Sequence, residues 1–110
     1  MVKVDLSGYK NLYLQTAKEY LNKLSVSLDE LSRDVSNKEA LNNLHIASHS
    51  LKSQSQVMNY ENVVEICLDI ENVSSNALQG VIQLNNDAIL NIQKEAGKLR
   101  EMLKQVQHDN

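Results

Sequence analysis

Three side chains in this sequence are of types that could make a reactive centre if brought together: His49, Lys52 and Glu71. A nucleophilic imidazole must be neutral, with its attacking nitrogen carrying a free lone pair. Which nitrogen is free depends on the hydrogen bond made by the other. A carboxylate such as Glu71, accepting from Nδ1–H, would leave Nε2 unprotonated and electron-rich, as an acid does for a catalytic histidine. At about 100° per residue, His45, His49, Lys52 and Gln56 form one row on a helix, so an ammonium stands one turn beyond the imidazole. The residues alone leave other readings open. A surface histidine is usually an ordinary polar residue, His45 and His49 at i, i+4 could ligate a metal, and Glu71 could be a solvated helix glutamate. No His-rich or carboxylate-rich set elsewhere in the chain completes a metal site.

The elements that must position these groups are helices. The 110 residues suffice for one small domain with a single core. There is no proline, phenylalanine or tryptophan and glycine occurs three times, which favours long helices over a sheet. Leu14, Ala17, Leu21, Leu24, Leu28 and Leu31 alternate spacings of three and four, the seam of a first helix over about 6–32, flanked by Tyr13 and Tyr20. Asp5 or Ser7 would cap it. Ser36 and Glu39 read as a capping box opening a second helix over about 37–58, with Leu41, Leu44, Ser48, Leu51, Ser55 and Met58 inward. Its small polar members predict close approach of a neighbouring helix. Asn59 ends it as a left-handed residue.

A third helix over about 60–79 turns Val63, Cys67, Ile70 and Ser74 inward and is capped by Gly80. The fourth, over about 85–107, opens with an Asn85 cap and a Leu84–Ile89 staple, and its seam runs Ile89, Ile92, Ala96, Leu99, Leu103 and Val106. Gly97 inside it predicts a close helix contact, and Gln107 to Asn110 should fray. The expectation is an all-α, antiparallel up-down-up-down four-helix bundle forming one domain over 1–110.

Composition also narrows the function classes. The net charge of −3 argues against nucleic acid as a partner. Cys67 is the only cysteine, so no internal disulfide can form, and it reads as a small buried hydrophobe. The first residues lack the apolar run of a secretory signal, and no stretch approaches the ~20 apolar residues of a membrane span. A cytoplasmic domain with no membrane partner is expected. No glycine-rich loop with a Walker-type lysine is present, so no ATP site and no catalytic activity of its own are expected.

The segment His49-Ser-Leu-Lys52-Ser53-Gln-Ser55, followed by Asn59-Tyr60 and Ile70-Glu71, resembles histidine phosphotransfer (HPt) domains. The likeness is greatest to the N-terminal domain of CheA-type chemotaxis kinases and covers nearly the whole chain. Tyr9 to Leu21 resembles that family's aromatic-rich first helix, and Leu41-Asn-Asn-Leu44 leads into the histidine with its spacing. The family motif runs His-x-Leu-Lys-Gly-x-Ser/Ala, then a glycine ten residues after the histidine and a glutamate twenty-two after it.

The resemblance implies that His49 is the phosphoacceptor, Lys52 its electrostatic partner and Glu71 its orienter. It further implies a CheA-type kinase domain as donor and a CheY-like or CheB-like receiver domain as acceptor. ATP and Mg²⁺ would be held by those partners, with no cofactor on this chain, which would itself be monomeric. The chain would then be the phosphotransfer portion of such a kinase or a free-standing carrier; a helical interaction module that carries no phosphate is the alternative. Ser53 and Asn59 stand where the family has glycines, and Gln56 occupies a position often small. Leu68, apolar where some relatives carry a further histidine, predicts a drier, less networked site.

Overall fold

The computed structural model describes residues 7–108, which form four helices: α1 (Ser7–Arg33), α2 (Lys38–Val57), α3 (Glu61–Leu78) and α4 (Asn86–His108). Asp5 and the last two residues, on which an end cap and part of the fraying were expected, lie outside the described residues. Gln107 and His108 are helical. Every seam position expected to face inward in α1, α3 and α4 is buried except Val106, which is half-buried; in α2 the exception is Met58.

Helices α2 and α3 each end where local chemistry provides a stop. Asn59 and Gly80 have φ of 60° and 77°. At the first, Asn59 N–H donates to Gln56 O and Tyr60 N–H to Ser55 O; at the second, Gly80 N–H donates to Ala77 O and Val81 N–H to Asn76 O. Both are Schellman motifs, which satisfy the orphan carbonyls and reverse the chain. Asn85 caps α4 as expected, accepting from Ala88 N–H at 2.8 Å, and the staple residues Leu84 and Ile89 are both buried.

Two local expectations are corrected. Asn37, not Ser36, caps α2: its Oδ1 accepts from Ala40 N–H at 3.0 Å. The Ser36 hydroxyl is spent on Asp34 Oδ1 at 2.6 Å, in a turn that also takes the Ser36 N–H. Those hydrogen bonds hold the Asp34 carboxyl below its ordinary range. Gly97 does not mark a close helix crossing, since a Cβ there would meet nothing within 4 Å.

Short connections and inward seams give a ring of neighbours in which α1 packs on α2 and α4, and α2 on α3. The α2–α3 pairing is the most extensive, while α4 lies mainly on α1 and only lightly on α3. The bundle measures 52 × 23 × 19 Å. Of the tyrosines, Tyr13 is buried, Tyr20 and Tyr60 pack on the core edge, and Tyr9 is exposed. Tyr13 and Tyr60 rings meet at 5.0 Å with a 58° tilt. The Tyr13 hydroxyl and Ser55 Oγ share a buried hydrogen bond of 2.7 Å joining α1 to α2, and burial pushes the Tyr13 phenol up to about 12. Cys67 is buried as expected, and burial pushes its thiol up to about 12.

The Tyr13–Ser55 bond has a measurable consequence. Tyr13→Phe should lower unfolding stability in denaturant titrations by about 1–3 kcal/mol, because Ser55 is left buried without a partner. Adding Ser55→Ala should recover part of that loss. A double variant no more stable than the single one would show that the loss arises elsewhere.

Candidate functional site

The site is built across the α2–α3 seam. Its inner layer is small: Ala47, Ser48 and Ser55 on α2 and Cys67 and Ser74 on α3 are all buried. Small side chains let two helices approach closely, as the seam of α2 predicted. The two chains run antiparallel, so moving one turn forward on α2 moves one turn back on α3. His45 therefore stands opposite Ser74, and His49 opposite Glu71.

Glu71 divides its carboxylate between two partners on α2. Oε2 lies 2.5 Å from His49 Nδ1 and Oε1 lies 2.6 Å from Lys52 Nζ. Exposure falls sharply across the group: the His49 side chain is 59% exposed, Lys52 15% and Glu71 13%. Partial burial of Glu71 works against its charge, but the hydrogen bonds from Lys52 and His49 outweigh that cost. The net result is a carboxyl held below its ordinary 4.5. An ionised carboxylate only accepts hydrogen bonds, so His49 Nδ1 donates to it, and in the neutral ring Nε2 then carries the free lone pair.

The three residues singled out from the sequence thus come together, with one difference in how they connect. Lys52 was expected as the electrostatic partner of the phosphoacceptor; the structure also seats its ammonium on Glu71. Leu68 is exposed and adds no polar group. The site is nonetheless networked, because both Glu71 oxygens are engaged.

His45 is also anchored, which sequence reasoning did not anticipate. Its Nδ1 lies 3.3 Å from Ser74 Oγ. The Ser74 hydroxyl proton goes to the carbonyls of Ile70 (2.8 Å) and Glu71 (3.0 Å), so Ser74 accepts from His45 Nδ1–H. Its signal was the small polar residue at Ser74 on the inward seam of α3. The two histidines are tied to separate partners on α3, and among the described residues no three His, Cys, Asp or Glu side chains converge on a possible metal position. Among the described residues, no helix is long and apolar enough to cross a membrane.

The lowered ionisation of Glu71 fixes the sign of a pH effect. A carboxyl depressed on folding stabilises the fold above its unfolded value near 4.5 and loses that contribution as pH falls below it. Glu71→Gln should therefore be less stable than the parent at about pH 7, and the gap should narrow towards about pH 3. Denaturant midpoints across that range measure it. A gap that stays constant would mean that ionisation of Glu71 does not stabilise the fold.

Residues 8–109 match the Hpt domain family. Among solved structures, the chain is similar to the CheA phosphotransferase domain from Thermotoga maritima, with a TM-score of 0.87 and 23% identity over 94% of this chain and 98% of that one. It is also similar to a protein with a redesigned hydrophobic core solved by solution NMR, with a TM-score of 0.82 and 20% identity over 98% of this chain and 95% of that one. The structural likenesses establish the four-helix fold, and the family match covers almost the whole of it. The chain belongs to the Hpt domain family, and its function is histidine phosphotransfer in two-component signalling.

Proposed function

We propose that His49 is the phosphoacceptor, oriented by Glu71 and assisted by Lys52. The observation that carries this reading is the division of the imidazole into two edges. Nδ1 is pinned by a carboxylate that is mostly covered, while the ring as a whole is open to solvent. In the first step, the Nε2 lone pair attacks the γ-phosphorus of ATP held with Mg²⁺ by a CheA-type kinase domain. The bond to the bridging oxygen breaks, and ADP leaves with its electron pair. The Nδ1 proton stays in the bond to Glu71, which balances the positive charge that develops on the ring.

In the second step, an aspartate oxygen of a CheY-like or CheB-like receiver attacks the phosphorus. The P–Nε2 bond breaks and its electrons return to the ring, restoring the starting tautomer. Phosphoryl transfer asks the protein chiefly for positioning and charge, which this small cast supplies. Lys52 keeps Glu71 ionised and adds positive charge one turn from the incoming phosphoryl. A groove of about 400 Å³ between α1 and α2, lined in part by Tyr20, Val26, Ile46 and Ala47, opens beside the His49 row and suits the apolar part of a docking receiver.

With such partners this phosphotransfer domain would act in the cytoplasm, as a monomer, with the nucleotide held by the kinase domain. It is either the phosphotransfer portion of a CheA-type kinase or a free-standing equivalent. A pure interaction module is the poorer reading, because it has no use for a carboxylate at hydrogen-bond distance from an exposed histidine.

Labelling from ATP by a CheA catalytic core supplied in trans tests the assignment. The parent should acquire acid-labile, base-stable label and His49→Gln none. Glu71→Gln should slow labelling by about ten- to a hundredfold, the scale on which a histidine's orienting partner acts, with helical content unchanged. Lys52→Ala should slow it less. Equal label on His49→Gln would move the acceptor elsewhere, with His45 first to examine, and an unchanged rate in Glu71→Gln would remove Glu71 from the mechanism.

A further inference from the structure

The exposed face that carries His49 continues through Ser53 and Gln56, about one and two turns towards the end of α2. Ser53 is half-buried and Gln56 exposed. Helical side chains lean back towards the N-terminus, over the preceding turn, so both lean towards His49. A helical serine commonly returns its hydroxyl to a carbonyl three or four residues earlier. Ser27, Ser48 and Ser74 do so at 3.0, 3.0 and 2.8 Å. Ser53 does not: among the described residues, neither its hydroxyl nor the Gln56 side-chain amide has a protein partner. The cation of the same row is otherwise engaged, with Lys52 Nζ 2.6 Å from Glu71 and largely covered. A phosphoryl group on the outer edge of His49 would therefore have two uncommitted neutral donors on its own helix face, while the nearby ammonium is already held by Glu71.

Taking His49 as the phosphoacceptor, as proposed above, we propose that Ser53 and Gln56 donate hydrogen bonds to the phosphoryl oxygens on His49 Nε2 and prolong the life of the phosphohistidine. Cleavage of the P–N bond passes through a loose, metaphosphate-like state in which the phosphoryl oxygens shed negative charge. Donors to those oxygens hold the ground state more strongly than that state, and so slow the bond's cleavage. Ser53, where the HPt motif has glycine, thereby sets the carrier's timing as well as the space beside His49. The hydroxyl and amide are positioning groups; neither exchanges a proton with the reacting atoms.

The test avoids partner docking altogether. Purified full chain is phosphorylated with phosphoramidate: the Nε2 lone pair takes the phosphoryl group, the reagent's P–N bond breaks, and ammonia leaves with the electron pair. Excess reagent is removed, and loss of phosphohistidine to water is followed by ³¹P NMR. Ser53→Ala and Gln56→Met should each shorten the half-life by roughly three- to tenfold, the scale of one ordinary intramolecular hydrogen bond. Ser53→Thr, which keeps the hydroxyl, should restore it, although a purely structural role would favour alanine in a helix. Half-lives equal to the parent's in both Ser53→Ala and Gln56→Met would overturn the proposal while leaving His49 as acceptor. Phosphohistidine that still forms in His49→Gln to the parent's level would instead overturn the acceptor assignment beneath it.

Discussion

The Glu71 carboxylate is the interaction on which the site depends, because it alone touches both functional side chains of α2. One oxygen fixes the proton on His49 Nδ1, and the other neutralises Lys52. Bringing a carboxylate and an ammonium to this degree of burial costs solvation, and such pairs are not automatically stabilising. Here each Glu71 oxygen has a donor within 2.6 Å, and the carboxyl is held below its ordinary range despite burial, so attraction exceeds the solvation cost. The lysine and the glutamate thus secure one another, and the histidine is held by a charge that is itself already compensated.

The bundle makes this geometry cheap to specify. Only three residues separate α2 from α3, and Asn59 in the left-handed conformation turns the chain back immediately. His49 lies ten residues before that turn and Glu71 twelve after it. At 1.5 Å per residue these are about 15 Å and 18 Å along the helices, within one helical turn of each other. Register between the two site helices is therefore set locally, by one connection, rather than by the packing of the whole molecule. The small side chains of the seam then bring the backbones close enough for a glutamate to reach across, and the Tyr13–Ser55 bond ties that end of α2 to α1.

Much of this was legible in the sequence, for reasons that differ by element. The inward seams were readable because apolar spacing of three and four has one structural meaning at these lengths. Asn59, Gly80 and Asn85 were readable because each solves a backbone problem that few residues solve. Ser36 misled because serine and asparagine both make good caps and stood side by side; the deciding factor was Asp34, which claims the serine hydroxyl. Gly97 misled because glycine in a helix signals a close contact only if a neighbour is present, and neighbours are not written locally. The juxtaposition of His49 and Glu71 came from resemblance to a family motif, as a separation of twenty-two residues has no meaning until the turn between them is known. The Lys52–Glu71 pair and the His45–Ser74 bond were missed because both require the α2–α3 register, which pattern along one helix does not contain.

The gradient of exposure across the triad follows from what a carrier must do. An enzyme can wall its nucleophile on every side and admit substrate through one opening. A carrier's nucleophile must be reached in turn by two different protein partners, so its outer side has to stay open. All the organisation that fixes its tautomer must then come from behind. With His49 as the proposed acceptor, its 59% exposure against 13% for Glu71 behind it fits that arrangement, and burying the lysine with the glutamate keeps a full charge pair off the exposed side. What remains of the His49 row on that face is neutral, namely the imidazole edge, Ser53 and Gln56, with the apolar Ile46 beside an α1–α2 groove that Lys23 and Glu30 also line. A neutral, partly apolar rim can be desolvated by successive partners at little cost, whereas an exposed ion pair would have to be stripped of water at every encounter. The site's charges are therefore kept beneath the face that the partners meet.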